Sequence, residues 1–368
     1  MLDKGRMGGV CGVCGTDISP SRLAGMADGG AFERPSAAKE MPTIVIIGDA
    51  IMDVQVSGLA HLPDWGKDRE CQAVGLLPGG SAANVARQLG SIGAGECSVA
   101  FFSTVGDDEL GQLMLRTLCS EGVLVEPRST VRVLENTPQS TCIVLSGPSD
   151  RAMVTCYASV RQLTIAPFVG HPALERAAIV HISGYFNCTG LHDDETLAVL
   201  AACRARGALL SLDPQYDCTE AWTGRDGHLA RLLTMLDIFL PNEVEACGLT
   251  GASTPDEALN QLAARYPSLL IILSVGAEGA LAARGAQRWQ RAALTAPFVD
   301  ATGAGDAFDA GCLLSLLRSG VHDVEAALAA GVAAGAIAIG TAGACQHPMR
   351  RELFEAVLRE GSSRLALP

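Results

Sequence analysis

The stretch of sequence that decides both fold and chemistry reads Asp300-Ala301-Thr302-Gly303-Ala304-Gly305-Asp306-Ala307-Phe308-Asp309-Ala310-Gly311. It precedes a helical pattern of leucines at positions 313, 314, 316 and 317. Small residues at a helix start leave the first backbone N–H groups unpaired, and these groups together with the helix dipole favour an anion. Asp306 then lies in the first turn, which suits a base that takes a proton from a hydroxyl beside an anion hole. A simple helix cap at Asp306 is the alternative.

Three further stretches place glycines or polar side chains beside strands and helices. Pro78-Gly79-Gly80-Ser81-Ala82-Ala83-Asn84 allows close approach of the backbone to a ligand, and the Asn84 amide suits a polyol. Leu240-Pro241-Asn242-Glu243-Val244-Glu245 places two polar side chains three residues apart, and Glu245 suits Mg²⁺ held through water. Ser274-Val275-Gly276 leaves an apolar run at a glycine, where a loop can lie against a ligand. Structural helix starts remain the alternatives for the first two.

The composition limits the classes of protein to consider. The chain has 368 residues, 48% of them hydrophobic, and a formal net charge of −13, which predicts a folded protein with a sizeable core. No nucleic acid partner is expected, because phosphate backbones require clustered Lys and Arg. The lysines are Lys4, Lys39 and Lys67, so the later chain has no amine for a Schiff base or a phosphate-binding lysine. Thirteen scattered cysteines predict reduced thiols and a cytoplasmic location.

Ordered structure is expected to begin at Met41. Residues 1–40 contain no periodic apolar pattern, so we expect a disordered extension and take Met41 as the hypothetical physiological start. From Ala326 to Cys345 no residue is charged, but few are large and apolar. We therefore expect a tightly packed internal helix followed by a Gly-rich turn rather than a membrane span, and no membrane partner.

Short apolar runs alternate with amphipathic patterns after Met41. Thr43-Ile44-Val45-Ile46-Ile47 is apolar enough for a strand covered on both faces. Similar runs lie at 99–103, 178–183, 208–212, 238–240 and 269–274, and helical patterns lie at 83–89, 110–118, 196–204 and 255–264. This alternation predicts an α/β fold with a doubly wound, mostly parallel central sheet flanked by helices. Period-two patterns at about 64–78 and 131–160, with a turn at Gly147-Pro148-Ser149-Asp150, predict a small β-sheet lid.

In this order, the stretches resemble the PfkB (ribokinase-like) carbohydrate kinase family from Met41 to about His347. Residues 79–84 look like the family's N-terminal signature, and residues 300–311 like its C-terminal signature. The segment from Asn242 to Glu245 is similar to its NxxE element, and Gly106-Asp107-Asp108 with Gly111 matches a frequent early segment. The resemblance implies a ribokinase-like kinase domain over residues 41–368. It also implies ATP-dependent transfer of the γ-phosphoryl group to a primary hydroxyl of a sugar.

Carried over by position, the resemblance implies a role for each matching residue. It assigns the general base to Asp306 and the anion hole to the amides of Gly303, Ala304 and Gly305. It assigns the substrate hydroxyls to Asp53, Gly79, Gly80 and Asn84. It assigns the nucleotide and its phosphates to Asn242, Ser274 and Gly276. It assigns the binding of Mg²⁺, through water, to Glu245.

Two further properties of the family carry over by resemblance. Several members bind a monovalent cation near the C-terminal signature, which implies K⁺ beside Asp300 and Thr302. In many relatives the lid also forms a dimer interface, which implies a homodimer through the lid.

The chain departs from the family pattern at four positions. Ala301 replaces a frequent Thr and Asp309 stands where Asn is common, but neither change removes the base. Ile51 and Ser81 stand where ribokinases proper tend to carry Asn and Lys, which argues against ribose and leaves the identity of the acceptor open. A nucleoside kinase of the same fold (adenosine, inosine or pseudouridine type) and a catalytically silent sugar- or nucleotide-binding regulator remain the alternatives. A dinucleotide-dependent oxidoreductase is a more remote one.

Overall fold

A computed structural model describes residues 41–120, 130–147, 151–340 and 347–365. Three predictions concern segments outside these residues. They are the disorder of residues 1–40, the turn at 148–150 and the Gly-rich turn after position 340.

The main sheet has a mostly parallel, doubly wound arrangement. In chain order, the strands of the described residues are β1 (Thr43–Gly48), β2 (Ile51–Ser57), β3 (Ala73–Gly79), β4 (Ser98–Gly106), β5 (Val131–Leu134), β6 (Thr141–Ser146), β7 (Arg151–Cys156), β8 (Ala177–Ser183), β9 (Leu209–Asp213), β10 (Ile238–Phe239), β11 (Leu270–Ser274), β12 (Ala280–Arg284) and β13 (Gln287–Arg291). Nine of them form one sheet in the order β13-β12-β11-β10-β9-β8-β1-β4-β5. Pairs from β11 to β5 are parallel, and β12 and β13 extend that sheet antiparallel.

Helices cover both faces of the main sheet. In chain order they are α1 (Ser81–Ile92), α2 (Glu109–Ser120), α3 (Pro172–Glu175), α4 (Asp194–Ala205), α5 (His228–Leu233), α6 (Glu243–Thr250), α7 (Pro255–Arg265), α8 (Ala304–Ser319), α9 (Val324–Ile339) and α10 (Arg351–Glu360). Among the described helices, none has both the length and the apolar composition needed to cross a membrane. The predicted internal helix is α9, which is almost wholly buried.

Alternation along the strands divides the core between the two faces. In β1, Ile44 and Ile46 pack into one hydrophobic core with α1, α8 and α9, whereas Val45 and Ile47 pack into a second core with α4 and α7. Successive side chains of a strand point to opposite faces, so a wholly apolar run is what a sheet covered on both sides requires. The predicted fold class is therefore confirmed.

A separate four-stranded sheet, in the order β3-β2-β6-β7, corresponds to the predicted lid, with two corrections. Residues 64–72 form no strand and are almost all exposed, because they have no apolar face to bury. Residues 131–134 form β5, which pairs with β4 at the edge of the main sheet. Period two predicts a strand but not the sheet to which it belongs. The sequence pattern also missed β2, which follows β1 after only Asp49 and Ala50.

Close packing between α8 and α9 fixes the position of the α8 start. A Cβ on Gly331 of α9 would lie 2.5 Å from Cys312 Sγ and 2.7 Å from the Phe308 ring. A Cβ on Gly311 of α8 would lie 2.5 Å from the Ala330 carbonyl oxygen. Real Cβ atoms do not approach other atoms this closely, so glycine is needed at both crossing points.

We predict that Gly331→Ala lowers the free energy of unfolding by about 1–3 kcal/mol, because the added methyl displaces buried side chains. Gly335→Ala in the same helix is the matched control, since its Cβ would find its nearest neighbours at 3.6 and 3.9 Å. We expect this control to be neutral or to stabilise by about 0.5–1 kcal/mol through helix propensity. Urea unfolding of both variants measures the difference. Equal stability of the two would contradict the proposed packing.

Candidate active site

Three neighbouring strands of the main sheet end beside the first turn of α8. The chain leaves β1 at Asp49, and β8 and β9 end at Ser183 and Asp213. Carboxyl ends of parallel strands meet at one edge of a sheet, where α/β proteins bind ligands. Ser81 at the start of α1 and Asp306 in α8 complete this polar cluster.

Both carboxylate oxygens of Asp306 accept hydrogen bonds from α1. Ser81 Oγ lies 2.7 Å from Oδ1, and Asn84 Nδ2 lies 2.8 Å from Oδ2. Ser81 Oγ is also 3.1 Å from Asp213 Oδ2. The N-cap of α8 is Gly303 at φ 72°, and none of the described side chains caps this helix. Asp306 is therefore oriented by a neighbouring helix and is not a cap of its own.

The start of α8 presents unpaired backbone amides. In the described part of the chain, the amides of Gly305 and Asp306 donate to no acceptor, and a Cβ on Gly305 would point into open space. The amide of Ala304 instead donates to the Ala301 carbonyl at 3.2 Å. Of the three predicted amides, that of Ala304 is thus paired within the chain, and that of Gly305 is the one available to an anion.

Burial raises the pKa values of the carboxyl groups in this cluster. Desolvation raises the pKa of Asp306 to about 7, against opposing hydrogen bonds from Asn84 and Ser81, and the charges of Asp213 and Asp49 add to the rise. Desolvation likewise raises the pKa of Asp49 to about 6. A base with a pKa near neutrality is suited to proton transfer at physiological pH.

A cavity of about 600 Å³ with many polar side chains in its wall opens in front of Asp306. It is lined by the predicted substrate residues Asp53, Gly80 and Asn84, and by Thr302 and Gly303. Desolvation and the charge of Asp49 raise the pKa of Asp53 to about 7. Residues from the small sheet close the cavity from above; they are Ile51, Cys142, Val144, Arg151, Met153 and Thr155. We call this space the acceptor cavity.

Gly79 lies immediately behind the acceptor cavity. A Cβ at this position would collide with the carboxylate of Asp53. Gly79 thus leaves room for Asp53 and does not itself line the acceptor cavity.

A second cavity, of about 450 Å³ and mostly apolar, lies on the other side of the α8 start. Ala304 and Gly305 line it together with the predicted nucleotide residues Ser274 and Gly276. The apolar part of its wall is formed by residues such as Leu294, Phe298, Phe308, Val332, Ala336 and Ile339. Flat aromatic ligands favour such walls, so we call this space the nucleotide cavity.

Asn242 and Glu245 form a reciprocal cap at the start of α6. Asn242 Oδ1 accepts from the Glu245 amide at 2.9 Å, and the Glu245 carboxylate accepts from the Asn242 amide at 2.9 Å and from Nδ2 at 2.6 Å. Glu245 is nevertheless buried, and desolvation together with the charges of Asp213 and Asp306 raises its pKa. Within the described ranges, no three His, Cys, Asp or Glu residues are arranged to hold a metal ion directly.

Asp300 and Thr302 form a tight turn before α8. Asp300 Oδ1 accepts from the amide and from Oγ1 of Thr302, both at 2.8 Å. Arg151 of β7 donates from Nη1 to Thr302 Oγ1 at 2.6 Å, which joins the small sheet to this turn.

The sequence patterns missed two acidic residues of the site, Asp49 and Asp213. Asp49 accepts from the Ala82 amide and from Asn187 Nδ2, both at 2.9 Å. Asp213 Oδ2 accepts from Gln215 Nε2 at 2.7 Å. Both carboxylates come at the end of an apolar strand, and the same position after a strand marked Asn242 in the sequence. This criterion, applied to every strand, identifies Asp49 and Asp213 as well.

Asp309 lies one turn beyond Asp306 and is buried with it. Desolvation and the charges of Asp213 and Asp306 raise its pKa well above the usual range, so we expect it to be protonated. Its nearest basic group is His181, with Nε2 at 4.0 Å from Oδ2, but burial lowers the His181 pKa to about 3 and keeps it neutral. A protonated carboxyl group donates and accepts as an amide does, so it can replace the Asn that is common in the resembling family.

The chain matches the family model described as "pfkB family carbohydrate kinase" over residues 41–350. A fructokinase of Klebsiella pneumoniae is 30% identical over 78% of this chain and 88% of its own length. The crystal structure of a putative ribokinase II of Escherichia coli in complex with ATP and Mg²⁺ superposes with a TM-score of 0.71 at 22% identity, covering 87% of this chain and 99% of that one. A fructokinase double mutant of Vibrio cholerae, bound to fructose, ADP and potassium ion, superposes with a TM-score of 0.67 at 24% identity, covering 87% and 99%.

These matches define a kinase of the ribokinase-like fold. The chain belongs to the pfkB family of carbohydrate kinases. The sequence-based prediction of an ATP-dependent carbohydrate kinase is thereby confirmed.

We predict that Asp306→Asn increases the free energy of unfolding at about pH 8 by about 1–3 kcal/mol. Asp306 has a folded-state pKa of about 7 against an ordinary value of 3.8, so the folded protein binds more protons than the unfolded one between these values. Its contribution to stability is therefore full below about pH 4 and is lost as pH rises through about 7. Urea unfolding at about pH 5.5 and pH 8 should show a steeper decline for the native protein than for the variant.

Asp256→Asn, an exposed change of the same kind at the start of α7, is the control and should follow the native protein at both pH values. If Asp306→Asn showed the same decline as the native protein, burial would not be what raises the Asp306 pKa.

Proposed function

We propose that this protein transfers the γ-phosphoryl group of ATP to a primary hydroxyl of a sugar, with Asp306 as the general base. The observation that supports this most directly is the position of the first turn of α8, which borders both cavities. Asp306 and Gly303 line the acceptor cavity, and Ala304 and Gly305 line the nucleotide cavity. A hydroxyl in the first cavity and a phosphate from the second would meet at one helix start.

On the acceptor side, we propose that Asp53, Gly80 and Asn84 bind the sugar hydroxyls, with Gly79 making room for Asp53. Asp49 belongs to this set because its carboxylate lines the same cavity. Ser81 and Asn84 hold the Asp306 carboxylate in place while it accepts the proton of the attacking hydroxyl. The orientation of the base thus depends on donors from α1.

On the donor side, we propose that the amides at the α8 start stabilise the charge of the transferring group. Ser274 and Gly276 line the nucleotide cavity, and Asn242, bridged to Ser274, lies next to it. Glu245 would act on magnesium through water, and K⁺ would lie beside Asp300 and Thr302. When bound, Mg²⁺ offsets the negative charge of the phosphates.

We further propose that the small sheet acts as a lid and as a dimer interface. Its inner face closes the acceptor cavity, which excludes water from the reaction. Its outer face carries a cross-strand row of exposed apolar residues, Leu76, Ile143 and Val154, joined through Val54. Exposed apolar patches of this kind commonly mark protein interfaces.

We predict that Asp306→Asn lowers kcat by about two to four powers of ten, because it removes the base while keeping the side-chain shape. Release of ADP with a panel of ribose, fructose, other ketohexoses, adenosine, inosine and pseudouridine identifies the acceptor, and calorimetry of that acceptor measures its binding. The variant should still bind the acceptor, and Asp256→Asn should keep native turnover. Near-native rates in Asp306→Asn would refute the assignment of the base.

The same panel separates the alternatives. Turnover with adenosine, inosine or pseudouridine but not with sugars would indicate a nucleoside kinase. Stabilisation by ligands with no ADP formed would indicate a silent regulator.

We predict that Leu76→Glu converts a native dimer to a monomer, because it places a charge in the centre of the apolar row. Light scattering measures the mass. Leu62→Glu, at an exposed position outside the small sheet, should leave the mass unchanged. A monomeric native protein would exclude the lid interface.

A further inference from the structure

A third cavity of about 300 Å³ adjoins the acceptor cavity, and no described residue of α8 lines it. Arg161 and Cys218 line both spaces and so form their common wall. The rest of its lining includes Phe186, His192 and Arg225. None of these residues is used by the mechanism proposed above. We call this space the side cavity.

Two guanidinium groups, those of Arg161 and Arg225, line the side cavity. Among the described residues, neither forms a salt bridge with a carboxylate. The Arg161 guanidinium lies over the ring of Tyr157, 5.3 Å from its centroid, which leaves the edge of the guanidinium for a ligand. In a chain with 40 acidic and 27 basic residues, two such groups at one cavity form a local positive site.

The acidic residue of the side cavity does not neutralise this charge by contact with the arginines. Asp217 accepts from the amide and from Oγ1 of Thr219, at 2.9 and 2.6 Å, and from the Trp222 amide at 2.7 Å. Its carboxylate is therefore committed to its own loop. His192 is neutral as well, because burial lowers its pKa to about 4.

The loop that carries Arg225 is held in a strained conformation. Gln215, Glu220, Trp222 and Asp226 all have φ between 50° and 60°, which L residues rarely adopt and which costs of the order of 1 kcal/mol or more each. Trp222 fixes the loop by packing edge-on against Phe186 and Tyr216, with centroids at 5.7 and 5.4 Å. The side cavity is thus shaped before any ligand binds, which lowers the entropic cost of binding.

We propose that the side cavity binds an anionic group of the acceptor, a phosphate or a carboxylate, through Arg161 and Arg225. The substrate is then an anionic sugar whose hydroxyls face Asp49, Asp53 and Asp306 at the other end of the acceptor cavity. Arg151 also lies at the carboxylate end, where it faces Asp53 and donates to Thr302 Oγ1. One guanidinium among three carboxyl groups leaves that end acidic, so the anion of the acceptor is attracted to Arg161 and Arg225 and its free hydroxyl lies at the base. The inference rests on the sugar kinase function proposed above.

Calorimetry without ATP tests the inference apart from catalysis. The probes are D-fructose, D-fructose 1-phosphate, 2-keto-3-deoxy-D-gluconate and adenosine. We expect the phosphate or the acid to bind at least about tenfold more tightly than fructose, and the tighter of these two identifies the anionic group. Its affinity should fall as KCl is raised, whereas that of fructose should not.

Variants assign the effect to the two arginines. Arg161→Ala and Arg225→Ala should each weaken the binding of the anionic sugar by about tenfold or more, and Arg161→Lys should restore part of that loss. Arg206→Ala, an exposed change of equal charge at the end of α4, is the control and should bind as the native protein does. Thermal melting checks that each variant is folded.

The inference is overturned if fructose or adenosine binds as tightly as both anionic sugars, or if the two variants behave as Arg206→Ala does. Release of ADP then tells the two proposals apart. Turnover of a neutral sugar with no preference for the anionic ones would refute the side cavity and leave the kinase proposal intact. Tight binding of an anionic sugar that depends on both arginines, with no ADP from any acceptor, would support the side cavity and refute the proposed phosphoryl transfer to a sugar hydroxyl at Asp306.

Discussion

The site depends on the burial of several carboxyl groups at the carboxyl edge of a parallel sheet. Asp49, Asp213, Asp306, Asp309 and Glu245 all have less than a tenth of their surface exposed, and the charges of neighbouring members oppose ionisation. Burying carboxylates so close together is costly unless donors surround them. The donors to these carboxyl groups are a side-chain hydroxyl, side-chain amides and a backbone amide at the start of α1. None of them is a lysine, since the chain has no lysine beyond position 67. Neutral donors orient these carboxyl groups without fully reversing the rise in their pKa values, which is the condition that a base near neutrality requires.

With Asp306 as the proposed base, the same burial places activity and stability in opposition. A carboxyl group with a raised pKa weakens the folded state whenever it is ionised, and a base has to be ionised to work. The fold offsets this cost with rigid apolar packing directly behind the site. The strand β1 is buried on both faces of the sheet. Because Gly331 has no side chain, the backbone of α9 packs directly against α8. Stability lost at functional groups is commonly supplied in this way by the surrounding core.

Local patterns predicted the parts of the fold that local forces determine. The β1 run and the α8 start each follow from a few consecutive residues, and the structure has them where the sequence placed them. At Asn242 and Glu245 the sequence offered a helix start only as the alternative, and the reciprocal cap between the two side chains was not predicted. The sheet to which β5 belongs could not be predicted, because β5 pairs with β4 across the intervening α2 and not with the strand that follows it, β6. The role of Ser81 depends likewise on Ser183, Asp213 and Asp306, from three other elements. Contacts between distant segments produce no periodic pattern of residues from which they could be predicted.

Arginine in place of lysine suits the polarity of the acceptor cavity. Burial in this cavity would lower the pKa of a lysine and favour its neutral form. An arginine guanidinium keeps its charge and is less strongly hydrated. Arg151 lies near Asp53, where its charge opposes the rise in the Asp53 pKa, and its bond to Thr302 joins the small sheet to the α8 start. Because this arginine belongs to β7, part of the positive potential near the α8 start comes from the small sheet. In the proposed role of the small sheet as a lid, its movement would therefore change both the solvent exposure of the cavity and its electrostatics, and both changes would favour reaction when the lid is closed.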